Sequence, residues 1–334
     1  MKKIAFMTLA ASLLAANSLY GQHFSAGFNV QQNSGTAFLD VDNIYSPNSG
    51  VPSMKLLGTT STANYNVDAF SFASLAINPN SLPPNRFFEF SVTGSSTGAL
   101  ASAVNWQAST NEAHSDIFRS TGSGSNIVLY DGNGSISGLN EVGIAEPSGS
   151  APGIDGYDGM RQLPFSSDYA ANHSIYWSVD STAITGPYAP GQAADVFVAT
   201  ANHTFANSPS LFAGATAIGL TTNDDIDALE VFDGGAIGEF DTGDTILFSL
   251  TPNSPTLAAL GFSAADVLAF NAGDTGPSLF ASASSLGLKA DDDLNALSVR
   301  TIPEPGSAVL FAAIGLLGLA GCRRRRGNEA ESRR

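Results

Sequence analysis

The chain has 334 residues and a formal net charge of −16. Charged residues are only 13% of it, well under the usual quarter, and the acidic middle offers no basic face that could release counterions from a nucleic acid. Its single cysteine, Cys322, excludes an intrachain disulfide and a cysteine metal site.

Residues 1–21 read as a secretory signal peptide: Lys2 and Lys3 form the charged start, and Ile4 to Ala16 an apolar stretch too short to span a membrane. Cleavage after Gly21 is favoured, with Ser18 as the alternative. Residues 22–302 then form an acidic ectodomain whose palette of Ser, Thr, Asn and Gly suits short strands joined by polar turns. Phe88 to Thr93, Ile175 to Asp180, Ala194 to Ala199 and Ile246 to Leu250 are aromatic or β-branched and read as strands. Helical turns are expected at Ser263 to Asp266, with Ser263 as N-cap, and at Asp224 to Leu229.

The chain repeats itself. Asp224-Asp225-Ile226-Asp227-Ala228-Leu229 returns as Asp292-Asp293-Leu294-Asn295-Ala296-Leu297, each preceded by Gly-Leu, by Pro-Ser-Leu-Phe and, further upstream, by Ala-Ala-Asp-Val. The pattern extends backwards to a copy running from Phe87 to Met160, marked by Asp158, and to a shorter first copy from Phe28 to Phe70. Repeats of this size must stack to bury their apolar faces. The expected fold is therefore all-β, about four units of three or four strands, as a small β-propeller or alternatively a β-sandwich, followed by a C-terminal transmembrane helix.

The tail, residues 303–334, has three parts. Pro303-Glu304-Pro305 is held extended by its prolines. Gly306 to Cys322 is an uncharged run of about 17 residues, the low end of membrane-spanning length. Arg323, Arg324, Arg325 and Arg326 open a basic end, 323–334, that stays cytoplasmic by the positive-inside rule. This tripartite tail resembles the PEP-CTERM sorting signal of Gram-negative bacteria, apart from the polar extension Gly327 to Arg334. The resemblance implies recognition by an exosortase, anchoring in the inner membrane through 306–322 before processing, and an envelope or extracellular destination, with surface polysaccharide as a partner.

Asp224, Asp225 and Asp227, like Asp291, Asp292 and Asp293, crowd carboxylates that a Ca²⁺ ion would relieve; as turn residues they would instead cap backbone N–H groups. Asp131-Gly132-Asn133-Gly134-Ser135 starts like a calcium loop but has Ile136 where glycine is required, so it reads as a turn. Asp233-Gly234-Gly235 and Asp241 to Asp244 read as hairpin turns. His114 and Asp116, two apart, would share one face of a strand. Trp177 is expected in the core and Trp106 is the freer aromatic. No nucleophile elbow, P-loop or dinucleotide fingerprint occurs, and no cofactor is required. The expected function is non-enzymatic: a structural or adhesive surface protein. The alternatives are a polysaccharide hydrolase or lyase using carboxylates such as Asp155, Asp158 and Glu89, and a calcium-dependent binding module.

Overall fold

The structure, a computed structural model, describes residues 24–29, 43–45, 52–55, 67–71, 88–120, 126–132, 140–141, 154, 156–158, 174–180, 192–199, 210–234 and 236–301. The expected signal peptide, transmembrane helix and sorting tail lie outside them. Among the described residues no helix is long and apolar enough to cross a membrane. Ala26–Val299 form one compact unit; of the other, Met1–Ser25 with Arg300–Arg334, only the outer residues of two strands are described.

The protein is mostly β-strand, arranged in four open sheets with no closed barrel. The first sheet contains β1 (Phe24–Asn29), β2 (Asn43–Tyr45) and β3 (Pro52–Lys55), and the place beside β1 is filled by the last strand, β17 (Ala296–Thr301). The second runs β4 (Val67–Ser71), β5 (Phe88–Val92), β6 (Ile117–Ser120), β7 (Asn126–Asp131) and a short parallel addition, β8 (Asn140–Glu141). The third runs β9 (Gly156–Asp158), β10 (Ile175–Ser178), β11 (Val196–Ala199) and β12 (Ser210–Ala213). The fourth runs β13 (Ile226–Phe232), β14 (Thr245–Leu250), β15 (Val267–Asn271) and β16 (Ser278–Ala281). In the second, third and fourth sheets, strands adjacent in sequence lie side by side and, β8 apart, run antiparallel.

β4, β10, β14 and β15 are rich in large apolar residues because both of their faces are covered. In β14, Ile246, Phe248 and Leu250 enter one core cluster while Leu247 enters another, the period of two that a pleated strand imposes. Four clusters result. One joins the second and third sheets around Ile117, Trp177 and Phe197. A second joins the third and fourth around Tyr176, Phe212, Phe248 and Phe270. A third sets the fourth against Leu294, Leu297 and Val299, in and just before β17. The last brings Ala296 of β17 against Phe70, Phe90 and Phe118 of the second sheet.

One polar device recurs at three of these junctions. The residue that leads into an edge strand (Ile154 before β9, Ile226 at the start of β13, Leu294 before β17) is held at both backbone groups by the preceding part of the chain. Its N–H donates to a carbonyl: Ile154 to His114, Ile226 to Ala193, Leu294 to Ala264, at 3.1 to 3.3 Å. Its own carbonyl accepts from a serine hydroxyl on the second strand: Ser91 at 2.8 Å, Ser178 at 3.3 Å and Ser249 at 2.5 Å. All three serines are fully buried. Replacing Ser249 by alanine should leave the Leu294 carbonyl without its donor and lower stability by about 1–2 kcal/mol. Urea unfolding of the variant measures this; a change within experimental error would remove the staple from the account.

The pairings correct the expected repeat register. Phe70 faces Phe90, Tyr157 faces Trp177 and Leu229 faces Phe248. The equivalents are thus Val67-Asp68-Ala69-Phe70, Ile154-Asp155-Gly156-Tyr157, Ile226-Asp227-Ala228-Leu229 and Leu294-Asn295-Ala296-Leu297. The marker in the second copy is Asp155, not Asp158. The helical turn expected at Asp224 to Leu229 is instead a two-residue lead and the first half of β13, and Ser263 to Asp266 is a turn before β15. There Asp266, not Ser263, does the capping: its Oδ2 accepts the Ser263 N–H at 2.8 Å. Short helices form elsewhere, at α1 (Ala103–Thr110), α2 (Pro255–Leu260) and α3 (Ala283–Leu286). Each starts after a serine, and each stops at a residue in the left-handed region: Asn111, Gly261 or Gly287.

Candidate functional site

The abundance of aspartate has a local cause. Asp195, Asp224, Asp244, Asp266, Asp274 and Asp292 each accept the N–H three residues earlier: Gln192, Thr221, Asp241, Ser263, Asn271 and Lys289 respectively. This is the turn that a short carboxylate makes with its own backbone. Two of these, lying just before the third strand of a sheet, use their second oxygen to hold the chain beyond the fourth strand: Asp195 takes the Ala215 N–H and Asp266 the Ala283 N–H, both at 2.7 Å. Asp116 occupies the same place in the second sheet, taking the Gly132 N–H at 2.7 Å and the Gln107 amide at 2.5 Å. Burial pushes its carboxyl up to about 7, against the pull of those two donors, with the Asp131 and Glu112 charges adding to the rise.

Asp116 is therefore a staple of the sheet. It does not share a strand face with His114, which stands in the 3₁₀ turn Ala113–Ser115 before β6. Trp177 is buried in the core and Trp106 is 56% exposed on α1. Glu89 is paired with Arg119 at 3.0 Å. Asp158 belongs to β9, opposite Tyr176, and Asp155 lies outside the described residues. The two expected hairpin turns belong to one connection between β13 and β14, tied by Gly234 N–H to Asp244 at 2.8 Å. Asp131 ends β7, and most of the glycine-rich phrase after it lies outside the described residues.

The six candidate calcium ligands separate into two groups. Asp224 is filled by four donors: the N–H and hydroxyl of Thr221, at 2.6 and 2.8 Å, and the N–H and hydroxyl of Thr256, at 2.9 and 2.7 Å. It serves as a remote cap for α2, whose own N-cap residue, Ser254, makes no side-chain cap. Asp292 caps Lys289, and Asp291 is exposed. Asp225 is half-buried, its N–H donating to the Ser254 hydroxyl at 3.0 Å.

Asp227 and Asp293, by contrast, come together in the interior, and the structure adds Asp68 and Asn295 to them. Asp68 and Asp227 each sit at a β-bulge. Val67 pairs with Val92 and Ala69 with Ser91; Ile226 pairs with Leu250 and Ala228 with Ser249, so the aspartate is the extra residue both times. Asn295 holds the equivalent place before β17 and donates its amide to the Val67 carbonyl at 2.9 Å. Burial raises the carboxyls of Asp68 and Asp227 well above the ordinary range, and each is raised further by neighbouring carboxylates: Asp180, Asp225 and Asp293 for Asp68; Asp293, Asp68 and Asp225 for Asp227. Burial also raises Asp293, against the effect of its contact with Asp227. As two carboxylates neither Asp227 nor Asp293 could donate, so a shared proton would make their contact a hydrogen bond. Among the described residues, no three His, Cys, Asp or Glu side chains are arranged to hold a metal ion by themselves. The repeat already matches Asn295 to Asp227 in sequence; that Asp68 and Asn295 share its interior is set by long-range packing.

Residues 301–326 match the PEP-CTERM protein-sorting motif. The match contains Pro303, Glu304 and Pro305, the run 306–322, and Arg323 to Arg326, and it marks the chain as an exported protein processed by an exosortase at the membrane. The chain matches no curated protein and no solved structure.

Proposed function

We propose that this protein is a non-enzymatic envelope or matrix component of structural or adhesive type, whose four sheets are the blades of a small β-propeller. Four features support the propeller reading: sheets in chain order, a core between each successive pair, the fourth-to-first junction made by β17, and the repeated serine staple. β17 beside β1 would close the ring, so that no apolar face of a blade is left uncovered. Surface polysaccharide is the proposed partner class.

The observation that carries the destination is the sorting motif at 301–326. The scaffold role is favoured by how the carboxylates are occupied, since most of the well-placed aspartates cap turns or helix ends. The pairing of Glu89 with Arg119 and the enclosure of Asp116 weigh against a polysaccharide hydrolase or lyase.

Expression in a host with and without its exosortase tests the first part. The parent chain should be shortened and leave the inner membrane only when the enzyme is present. Pro303→Ala combined with Glu304→Ala should stay full length and membrane-bound in both hosts. Release of that variant at the parental rate would refute motif-dependent sorting. The second part is read by co-sedimentation of the released protein with the host's purified exopolysaccharide; recovery entirely in the soluble fraction would reject that partner.

A further inference from the structure

We propose that Asp227, Asp293 and the side-chain carbonyl of Asn295 bind one calcium ion at the junction between β13 and the segment entering β17. The argument starts from unanswered acceptors. Asp227 is 4% exposed, Asp293 7% and Asn295 0%. Oδ2 of Asp227, both carboxylate oxygens of Asp293 and Oδ1 of Asn295 are buried and have no hydrogen-bond donor. Asp293 and Asn295 are two residues apart on the lead into β17, and Asp227 contacts Asp293 directly. The Asn295 amide cannot turn to relieve its oxygen, because its Nδ2 is committed to the Val67 carbonyl.

Buried acceptors without donors are expensive, and like charges gathered out of water are more so. A proton shared by Asp227 and Asp293 would answer only half of this. It neutralises the pair but leaves the Asn295 oxygen unsatisfied, since an amide is not protonated in this pH range. A cation held between Asp227 and Asp293 would answer their oxygens, and Asn295, two residues from Asp293 on the same extended lead, is placed to add its carbonyl. The charges acting on Asp227 are those of Asp293, Asp68 and Asp225, all negative, so the local field favours a divalent ion.

The donor set selects the ion. Carboxylates and an amide carbonyl are hard oxygen ligands, and no imidazole or thiolate belongs to the group. That suits Ca²⁺, which accepts irregular oxygen shells completed by water or backbone carbonyls. With only two carboxylates, the affinity belongs to the weak class of extracellular calcium modules, with a dissociation constant on the order of 0.1–1 mM.

The test uses the full chain purified in detergent. Equilibrium dialysis should find one Ca²⁺ bound per chain, and thermal unfolding in several millimolar Ca²⁺ should rise by several degrees over a chelator control. Asp227→Asn combined with Asp293→Asn should abolish both effects while unfolding no earlier than the parent in chelator, because two buried like charges are gone. Asp291→Asn, an exposed member of the same acidic phrase, should respond to calcium as the parent does. Asn295→Asp has the opposite sign: a third carboxylate should tighten calcium binding about tenfold and lower the unfolding temperature in chelator, so the proposal remains open to refutation even if the double variant does not fold. No response of the parent to millimolar Ca²⁺ would overturn the site and leave a shared proton in its place. A double variant that still binds like the parent would overturn it by placing the ion elsewhere.

Discussion

Asp224→Ala should lower the stability of the ectodomain by about 3–4 kcal/mol, more than any other single aspartate in the two repeated phrases. The side chain is 1% exposed and accepts four hydrogen bonds. Two come from Thr221 in the turn before β13, and two from Thr256 in the first turn of α2. Removing it leaves the buried Thr256 N–H and hydroxyl without an acceptor and cuts the exposed Thr221 turn loose from α2. Each such orphan is worth about 1 kcal/mol or more. Asp224→Asn keeps one acceptor oxygen and sets an amide against donors, so roughly half the loss is expected. Asp291→Ala, at an exposed position in the equivalent phrase, should fall within about 0.5 kcal/mol of the parent. Urea unfolding separates the two roles. Equal, small losses at 224 and 291 would mean that Asp224 does not tie the turn to the helix.

The second large effect is on pH. The Asp116 carboxyl is pushed up to about 7 from an ordinary 3.8, so the folded state holds a proton that the unfolded chain releases at a much lower pH. The stability this adds is fully present below about pH 4. It is lost as pH rises towards 7, where the folded carboxyl finally ionises inside the sheet. Each unit in that window is worth about 1.4 kcal/mol, so between pH 5 and pH 8 Asp116 alone should lower stability by roughly 3 kcal/mol. The raised carboxyls of Asp68, Asp227 and Asp293 act in the same direction when no cation is present. Most domains weaken in acid because their carboxylates are stabilised as anions; this one should grow firmer on mild acidification. Unfolding midpoints taken in chelator from pH 5 to pH 8 should decline, and Asp116→Asn, with the Gln107 amide turned over to suit it, should remove the part belonging to this residue. Identical slopes for the parent and that variant would show that Asp116 ionises normally in the fold.

What could be read from the sequence follows from which features are local. The strands at Phe88 to Thr93, Ile175 to Asp180 and Ile246 to Leu250 were legible because aromatic and β-branched runs between polar turns have one strong meaning. They appear as β5, β10 and β14 within a residue or two. In three of the sheets the first strand sets a small residue opposite a serine of its neighbour: Ala69 to Ser91, Gly156 to Ser178, Ala228 to Ser249. The phrase Asp224 to Leu229 was harder to classify. Its aspartates suggested a helical turn, whereas the bulge at Asp227 is set by β14 alongside, a partner that no window of sequence contains. The same limit applied to the acidic candidates. Asp224 and Asp227 are three residues apart and look alike in sequence. One is saturated by threonines from two separate segments and the other faces Asp293 across the interior, a difference created wholly by long-range packing.

The copies visible in the sequence are offset by one strand from the sheets. A copy starts on the second strand of one sheet and finishes on the first strand of the next, so the opening sheet has to borrow β17 from the far end. This has a bearing on secretion. A chain that crosses a membrane N-terminus first exposes β1 to β3 early, but their fourth strand emerges last, and Ala296 reaches the core around Phe70 and Phe90 only then. Final folding must therefore wait until translocation has delivered Thr301, with only Ile302 separating it from the Pro303 of the processing signal. The matched sorting motif begins at Thr301, the last residue of this strand, so the whole of β17 up to that residue lies ahead of Pro303-Glu304-Pro305.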